Sequence, residues 1–152
     1  MKRFLAAFLA VLSALQLLSC DRAKTAAERL ALFRDGYGMA GVLFSPEIPE
    51  GDTGWTDDAF LSTLFDGEVP EIADYAVLLP ARTESVEECG LFLCRDGDTV
   101  LAVADLCENR LCLLGKERSL EKEQLLVERS GKTVFYGVFS DPVRAKRIFR
   151  RI

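Results

Sequence analysis

Histidine is absent from all 152 residues. Without it the chain has no Ser-His-Asp or Cys-His nucleophile system, no histidine-bearing zinc site and no imidazole for acid/base work. No Gly-x-Gly-x-x-Gly stretch follows an expected strand and no complete Gly-x-x-x-x-Gly-Lys-Ser/Thr pattern occurs, so the sequence carries no phosphate-loop motif. Beyond the first twenty residues there is no apolar run near the roughly 20 residues needed to span hydrocarbon. Internal repeats and low-complexity tracts are also missing. Basic residues are outnumbered, 19 against 24 acidic ones. That balance argues against nucleic acid as a partner, because phosphate backbones select clustered Lys and Arg.

What is present begins at the N-terminus. Met1-Lys2-Arg3 is a short basic head, Phe4 to Leu18 is an apolar run of about fifteen residues, and Ser19 is a small residue at its end. Cys20 follows directly. Leu17-Leu18-Ser19-Cys20 resembles the lipobox of bacterial lipoproteins, and the resemblance implies removal of residues 1–19 and acylation of Cys20. The competing reading, a retained membrane helix, is disfavoured by the shortness of the run. Removal of residues 1–19 leaves 133 residues, enough for one domain and a tether. Two of the 19 basic residues leave with the signal, so 17 face 24 acidic ones and the formal charge becomes −7.

Local patterns then divide the chain. Thr25-Ala26-Ala27-Glu28 has the spacing of a capping box and predicts a short helix to about Phe33, stopped at Asp35-Gly36. Gly36 to Trp55 is dense in glycine and proline and reads as loop, with room for a short strand at Met39–Phe44. Thr56-Asp57-Asp58 opens a helix carrying Phe60, Leu61, Leu64 and Phe65. Strands are expected at Tyr75–Leu79 and Val86–Cys94, separated by a polar turn at Arg82–Ser85. A helix from Thr99 to about Leu114 carries Val100, Val103, Ala104, Cys107, Leu111 and Leu114 on one stripe, with Gly115 as C-cap. Gln124–Arg129 and Lys132–Ser140 flank Ser130-Gly131, a hairpin signal. Asp141-Pro142 starts a last helix with Ala145, Ile148, Phe149 and Ile152 on one face.

The expected fold is therefore α+β: an antiparallel sheet built from two hairpins (ββαββα) with helices packed on one face. The expected layout is a signal peptide at 1–19, then a lipidated cysteine, tether, short helix and Gly/Pro-rich segment at 20–55, then the α+β domain at 56–152.

Asp74-Tyr75-Ala76-Val77, Glu88-Cys89-Gly90-Leu91-Phe92, the helix end Arg110-Leu111-Cys112-Leu113-Leu114 and the strand pair around Gly131 resemble the domain-of-unknown-function 4358 family of lipoproteins from Gram-positive anaerobes. The resemblance covers roughly residues 56–140. It implies an envelope location and an α+β fold, and it implies no particular reaction. Cys89 and Cys112 stand where that pattern has ordinary apolar residues.

Four cysteines follow Cys20: Cys89, Cys94, Cys107 and Cys112. Two readings stay open, buried thiols or a disulfide that joins Cys89 to Cys107 or Cys112. A Cys₄ metal site is disfavoured, because metal-binding pairs usually sit on a turn, whereas here one pair is on an expected strand and the other on an expected helix. Carboxylates are the remaining acid/base groups. Asp57-Asp58 sits at an expected helix start, where acids favour the dipole. Glu87 and Glu88, adjacent on a strand, face opposite ways and cannot share a site. Arg144, Lys146, Arg147, Arg150 and Arg151 form a basic face on the last helix, which reads either as solvated surface or as a contact for anionic lipid or wall polymer.

These features converge on a protein lipid-anchored to the extracytoplasmic face of the cell membrane, acting as a non-enzymatic binding or envelope-organising module. No cofactor or metal is expected. Its expected partners are the membrane, reached through the N-terminal lipid, and a cell-wall or envelope protein. The competing expectation is a carboxylate-dependent enzyme acting on cell-wall glycan.

Overall fold

Tyr75–Leu79 and Cys89–Leu93 are apolar at nearly every position rather than at alternate ones. A strand of that kind needs cover on both faces, and the computed structural model, which describes residues 24–81 and 85–152, provides it. The signal segment, Cys20 and residues 82–84 of the expected polar turn lie outside the described residues.

The elements run in the order α1 (Ala26–Tyr37), β1 (Val42–Phe44), α2 (Phe60–Phe65), β2 (Asp74–Leu79), β3 (Cys89–Leu93), α3 (Gly97–Arg118), a 3₁₀ turn (Lys122–Gln124), β4 (Leu125–Ser130), β5 (Thr133–Val138) and α4 (Pro142–Phe149). The five strands form one antiparallel sheet in the order β1-β2-β3-β5-β4. The sheet is thus mixed with four α-helices in an α+β fold. It contains a fifth strand, β1, beyond those two hairpins supply.

The helices do not share one face, which corrects the sequence expectation. Side chains alternate across each strand. Ala76, Leu78, Cys89, Leu91 and Phe135 point to α1 and α4, joined by Phe139 just past β5. Val77, Phe92, Val134, Tyr136 and Val138 point to α2 and α3. Two apolar layers sandwich the sheet, and β5 is buried along its whole length.

The boundary expected at residue 56 is also corrected. Ala26, Leu30 and Phe33 of α1 are fully buried against β2 and β3. The helix expected within the tether is therefore part of the core. Its capping box is formed, with Thr25 Oγ1 accepting from the Glu28 N–H and Glu28 accepting from the Thr25 N–H. The helix runs on to Tyr37 and ends at Gly38, whose φ of 81° suits a residue without Cβ.

Helix α3 exceeds its expected span at both ends. Asp96, not Thr99, begins it, accepting from the Thr99 N–H at 2.8 Å. Gly115 lies inside it and Ser119 is the left-handed cap. Lys116 and Arg118 in its last turn complement the dipole, which explains why the charged stretch stays helical. Among the described residues no helix is long and apolar enough to cross a membrane.

Candidate functional site

The most deeply buried charge belongs to Glu88, 5% exposed, just ahead of β3. Arg110, midway along α3, grips it with two parallel bonds, Nε to Oε1 at 3.1 Å and Nη2 to Oε2 at 3.0 Å. Tyr136 on β5 donates its hydroxyl to Oε1 at 3.1 Å. The remaining Arg110 nitrogen, Nη1, donates to the Leu64 carbonyl at 3.3 Å, so α2 is tied in as well. Burial acts to lower the Arg110 guanidinium, but the hydrogen bonds and charge of Glu88 outweigh it and hold the group above its ordinary value. Burial raises the Tyr136 phenol well above the tyrosine range, and the Glu88 charge adds to this. Both carboxylate oxygens are committed to protein donors. The cluster fastens sheet to helices. Glu87, its neighbour, points elsewhere and accepts from the Ser140 N–H and hydroxyl at 3.3 and 3.1 Å.

The four downstream cysteines are free thiols. Cys89 faces α1, with its thiol 3.6 Å from the Met39 sulfur. Cys107 is on α3, across the sheet, beside Cys94 in the other apolar layer. Cys112, also on α3, is exposed. The structure therefore does not bring Cys89 to Cys107 or Cys112, and that disulfide expectation is corrected. The cause is strand alternation: Cys89 is an odd-numbered residue of a strand whose even-numbered side faces α3. Burial pushes the thiols of Cys89, Cys94 and Cys107 upward.

Carboxylates do gather around one cavity. Thr56, Asp57, Asp58, Glu71 and Tyr75 contribute to a recess of about 300 Å³ beside the start of β2. The Tyr75 hydroxyl donates to Thr56 Oγ1 at 2.8 Å and closes its inner wall. Burial raises the Tyr75 phenol, with help from the charges of Asp57, Asp58 and Asp74. Asp57 also accepts from the Ala59 N–H at 3.1 Å, ahead of α2. Glu71 is ion-paired with Arg95. Among the described residues no group of three or more Cys, Asp or Glu side chains is arranged to hold a metal ion.

The basic residues of α4 divide into two sets. Arg144 donates to the Gly36 carbonyl at 3.1 Å and lies over the Tyr37 ring. Lys146 and Arg150 reach back to Glu128 on β4, Arg150 at 3.6 Å. Arg147 and Arg151 are exposed and have no acidic partner among the described residues. The helix itself is fixed by Ala145 and Phe149, with the Phe149 ring stacked 4.7 Å from that of Phe135.

Sequence reasoning missed the Glu88–Arg110–Tyr136 constellation. Its trace was there: an acid directly before an apolar strand, and an arginine three residues after Cys107 on the buried stripe of a helix. The Tyr75–Thr56 contact left no such trace, because it depends on how the loop before α2 folds back. Set against known protein families, curated proteins and solved structures, the chain has no match in any of the three.

Proposed function

We propose that this chain is an extracytoplasmic lipoprotein, anchored through Cys20, whose folded domain binds or organises an envelope component rather than catalysing a reaction. The observation that carries this reading is how soon the fold begins after the lipobox. Thr25 already caps α1, and Ala26 is fully buried. Four residues lie between Cys20 and Thr25, so five chain steps span at most about 18 Å. An anchored domain would thus stand directly on the bilayer, a position suited to a receptor or organiser of that surface.

Cys20→Ala tests the anchor. Labelled fatty acid should enter the native protein and not the variant, and the variant should persist as uncleaved precursor or leave the membrane fraction. Label retained by the variant would place the lipid elsewhere. The non-enzymatic part is tested by incubating the purified mature chain with wall fragments and membrane extracts. Reproducible bond cleavage would overturn it.

The acidic recess favours one second reading, a carboxylate-dependent enzyme acting on wall glycan. Such enzymes place two carboxyl groups across a cleft, and Glu71 comes from a different segment than Asp57 and Asp58. Under that reading, release of wall fragments would be seen with the native chain and lost in Asp58→Asn or Glu71→Gln.

A further inference from the structure

The N-terminus of α1 lies at one end of the sheet, and α4 runs from the opposite end back to the middle of β5, beside the C-terminal half of α1. The Ala26 N–H donates to Asp74 at 2.7 Å and Arg29 donates to Thr133 at 3.1 Å. Asp74, Leu93 and Thr133 stand side by side in register at that end of β2, β3 and β5. Helix α4 starts at the opposite end, where the Tyr37 hydroxyl meets Ser140 and accepts from the Asp141 N–H. It then runs back beside α1, and Phe149 reaches Phe135, two residues from Thr133. The closing turn, with Arg150 and Arg151, stands over Glu128 at the level of Phe135, on the same side of the sheet as α1.

Along the outer side of α4, Val143, Lys146, Arg147, Arg150 and Arg151 line a shallow depression of about 340 Å³ with no acidic residue among them. Glu128 holds Lys146 and Arg150 from beneath, which fixes the face without neutralising Arg147 or Arg151. Val143, 69% exposed, adds an apolar side chain beside the cations. A cationic face with an apolar element suits the boundary between headgroups and acyl chains. This face is basic in a chain whose overall charge is negative.

We propose that the Arg147/Arg150/Arg151 face of α4 rests on the phosphate headgroups of anionic lipid in the membrane that carries the anchor. The inference rests on the Cys20 reading, because the short chain between Cys20 and Thr25 is what holds α1, and α4 packed beside it, close to the bilayer. Each basic residue near an anionic surface strengthens attachment by roughly a factor of five, and the attraction fades beyond a Debye length of about 8 Å. A tether of at most about 18 Å holds the domain close enough for the face to come within that range of the bilayer, and the charge attraction then keeps it there.

Attachment chosen by the experimenter separates this proposal from biological acylation. The mature chain from Cys20, carrying Cys112→Ser, can be coupled through the Cys20 thiol to a maleimide headgroup lipid; Cys89, Cys94 and Cys107 are buried and stay unreacted. Coupled chains are placed on vesicles of phosphatidylcholine, with or without phosphatidylglycerol. The rate at which phenylglyoxal modifies Arg147 and Arg151 is then read by mass spectrometry, with Arg118 at the far end of α3 as reference. On the phosphatidylglycerol vesicles, modification of Arg147 and Arg151 should slow about fivefold or more at low salt and recover at high salt. Arg118 should be unaffected. Arg147→Gln should weaken the protection of Arg151. Equal rates on both vesicle types would overturn the proposal. So would equal protection on neutral vesicles by a soluble glycerol phosphate polymer, which would assign the face to wall polymer. Failure of Cys20 acylation in cells, with vesicle protection intact, would count against the anchor alone.

Discussion

Gly90 and Tyr136 face each other across the β3–β5 ladder, and the tyrosine ring occupies the space where a Cβ on Gly90 would sit. Glycine here is required by close approach, since its backbone is an ordinary strand. The flat ring lies over the bare backbone and delivers its hydroxyl to Glu88. Gly90→Ala should therefore force the ring aside and cost about 1–3 kcal/mol, the usual scale for overpacking. Urea unfolding reads this as a lower midpoint, and an unchanged midpoint would mean that the ring does not occupy that place.

The Glu88–Arg110 pair should behave as a unit. Arg110→Met leaves a buried carboxylate without its cation and should cost about 3–5 kcal/mol. Glu88→Gln combined with Arg110→Met should recover much of that loss, because no charge is then stranded. A double-mutant cycle measures the coupling. Simple additivity within about 0.5 kcal/mol would show that the two side chains stabilise the fold independently.

Tyr136 sets an alkaline limit. Its phenol is raised in the folded protein, chiefly by burial, so above about pH 10 the unfolded chain gives up a proton that the folded chain keeps. The folded state then binds more protons, and stability falls as pH rises further. Tyr136→Phe should flatten that fall above pH 10 while losing one hydrogen bond at neutral pH, about 1 kcal/mol. Ultraviolet titration should show Tyr136 ionising only as the protein unfolds; ionisation of all three tyrosines in a folded protein would contradict this.

The thiols should divide by depth. Cys112 is exposed and should react with an aromatic disulfide reagent at once, whereas Cys89, Cys94 and Cys107 should react only after unfolding. Raised thiol values reinforce the contrast, because the thiolate is the reacting species. Fewer than four titratable thiols between Cys89 and Cys112 in the unreduced, denatured protein would indicate a disulfide.

Much of the local structure was legible because short-range chemistry decides it. Thr25 and Glu28 announce the start of α1, Asp141-Pro142 the start of α4, and Gly131 the β4–β5 turn. The stripe from Val100 to Leu114 marks the buried side of α3. What escaped was which face each helix covers. The unbroken apolar runs of β2 and β3 carried that information, since a strand wet on one face would alternate. The sequence alone places α1 with the tether, because a long loop separates it from the other elements, and sequence distance says little about packing distance. The candidate sites were legible only as inventories. The basic residues of α4 were evident, but which of them Glu128 engages depends on a strand that meets the helix only in the fold. The acidic recess, too, depends on loop geometry bringing Glu71 to Asp57 and Asp58.

The strand order has a consequence for how the protein is made. β5, the last strand in sequence among the described residues, lies between β3 and β4, and it supplies Phe135 to one apolar layer and Tyr136 to the other. A nascent chain that stops short of Thr133 has β3 with one side unpaired and both layers incomplete. Neither half of the sandwich can close early, so folding must wait for the C-terminal portion and then settle both layers together. Contacts of such long sequence separation slow folding. A chain built this way stays open until it is nearly whole, the condition in which polypeptides are threaded through narrow channels.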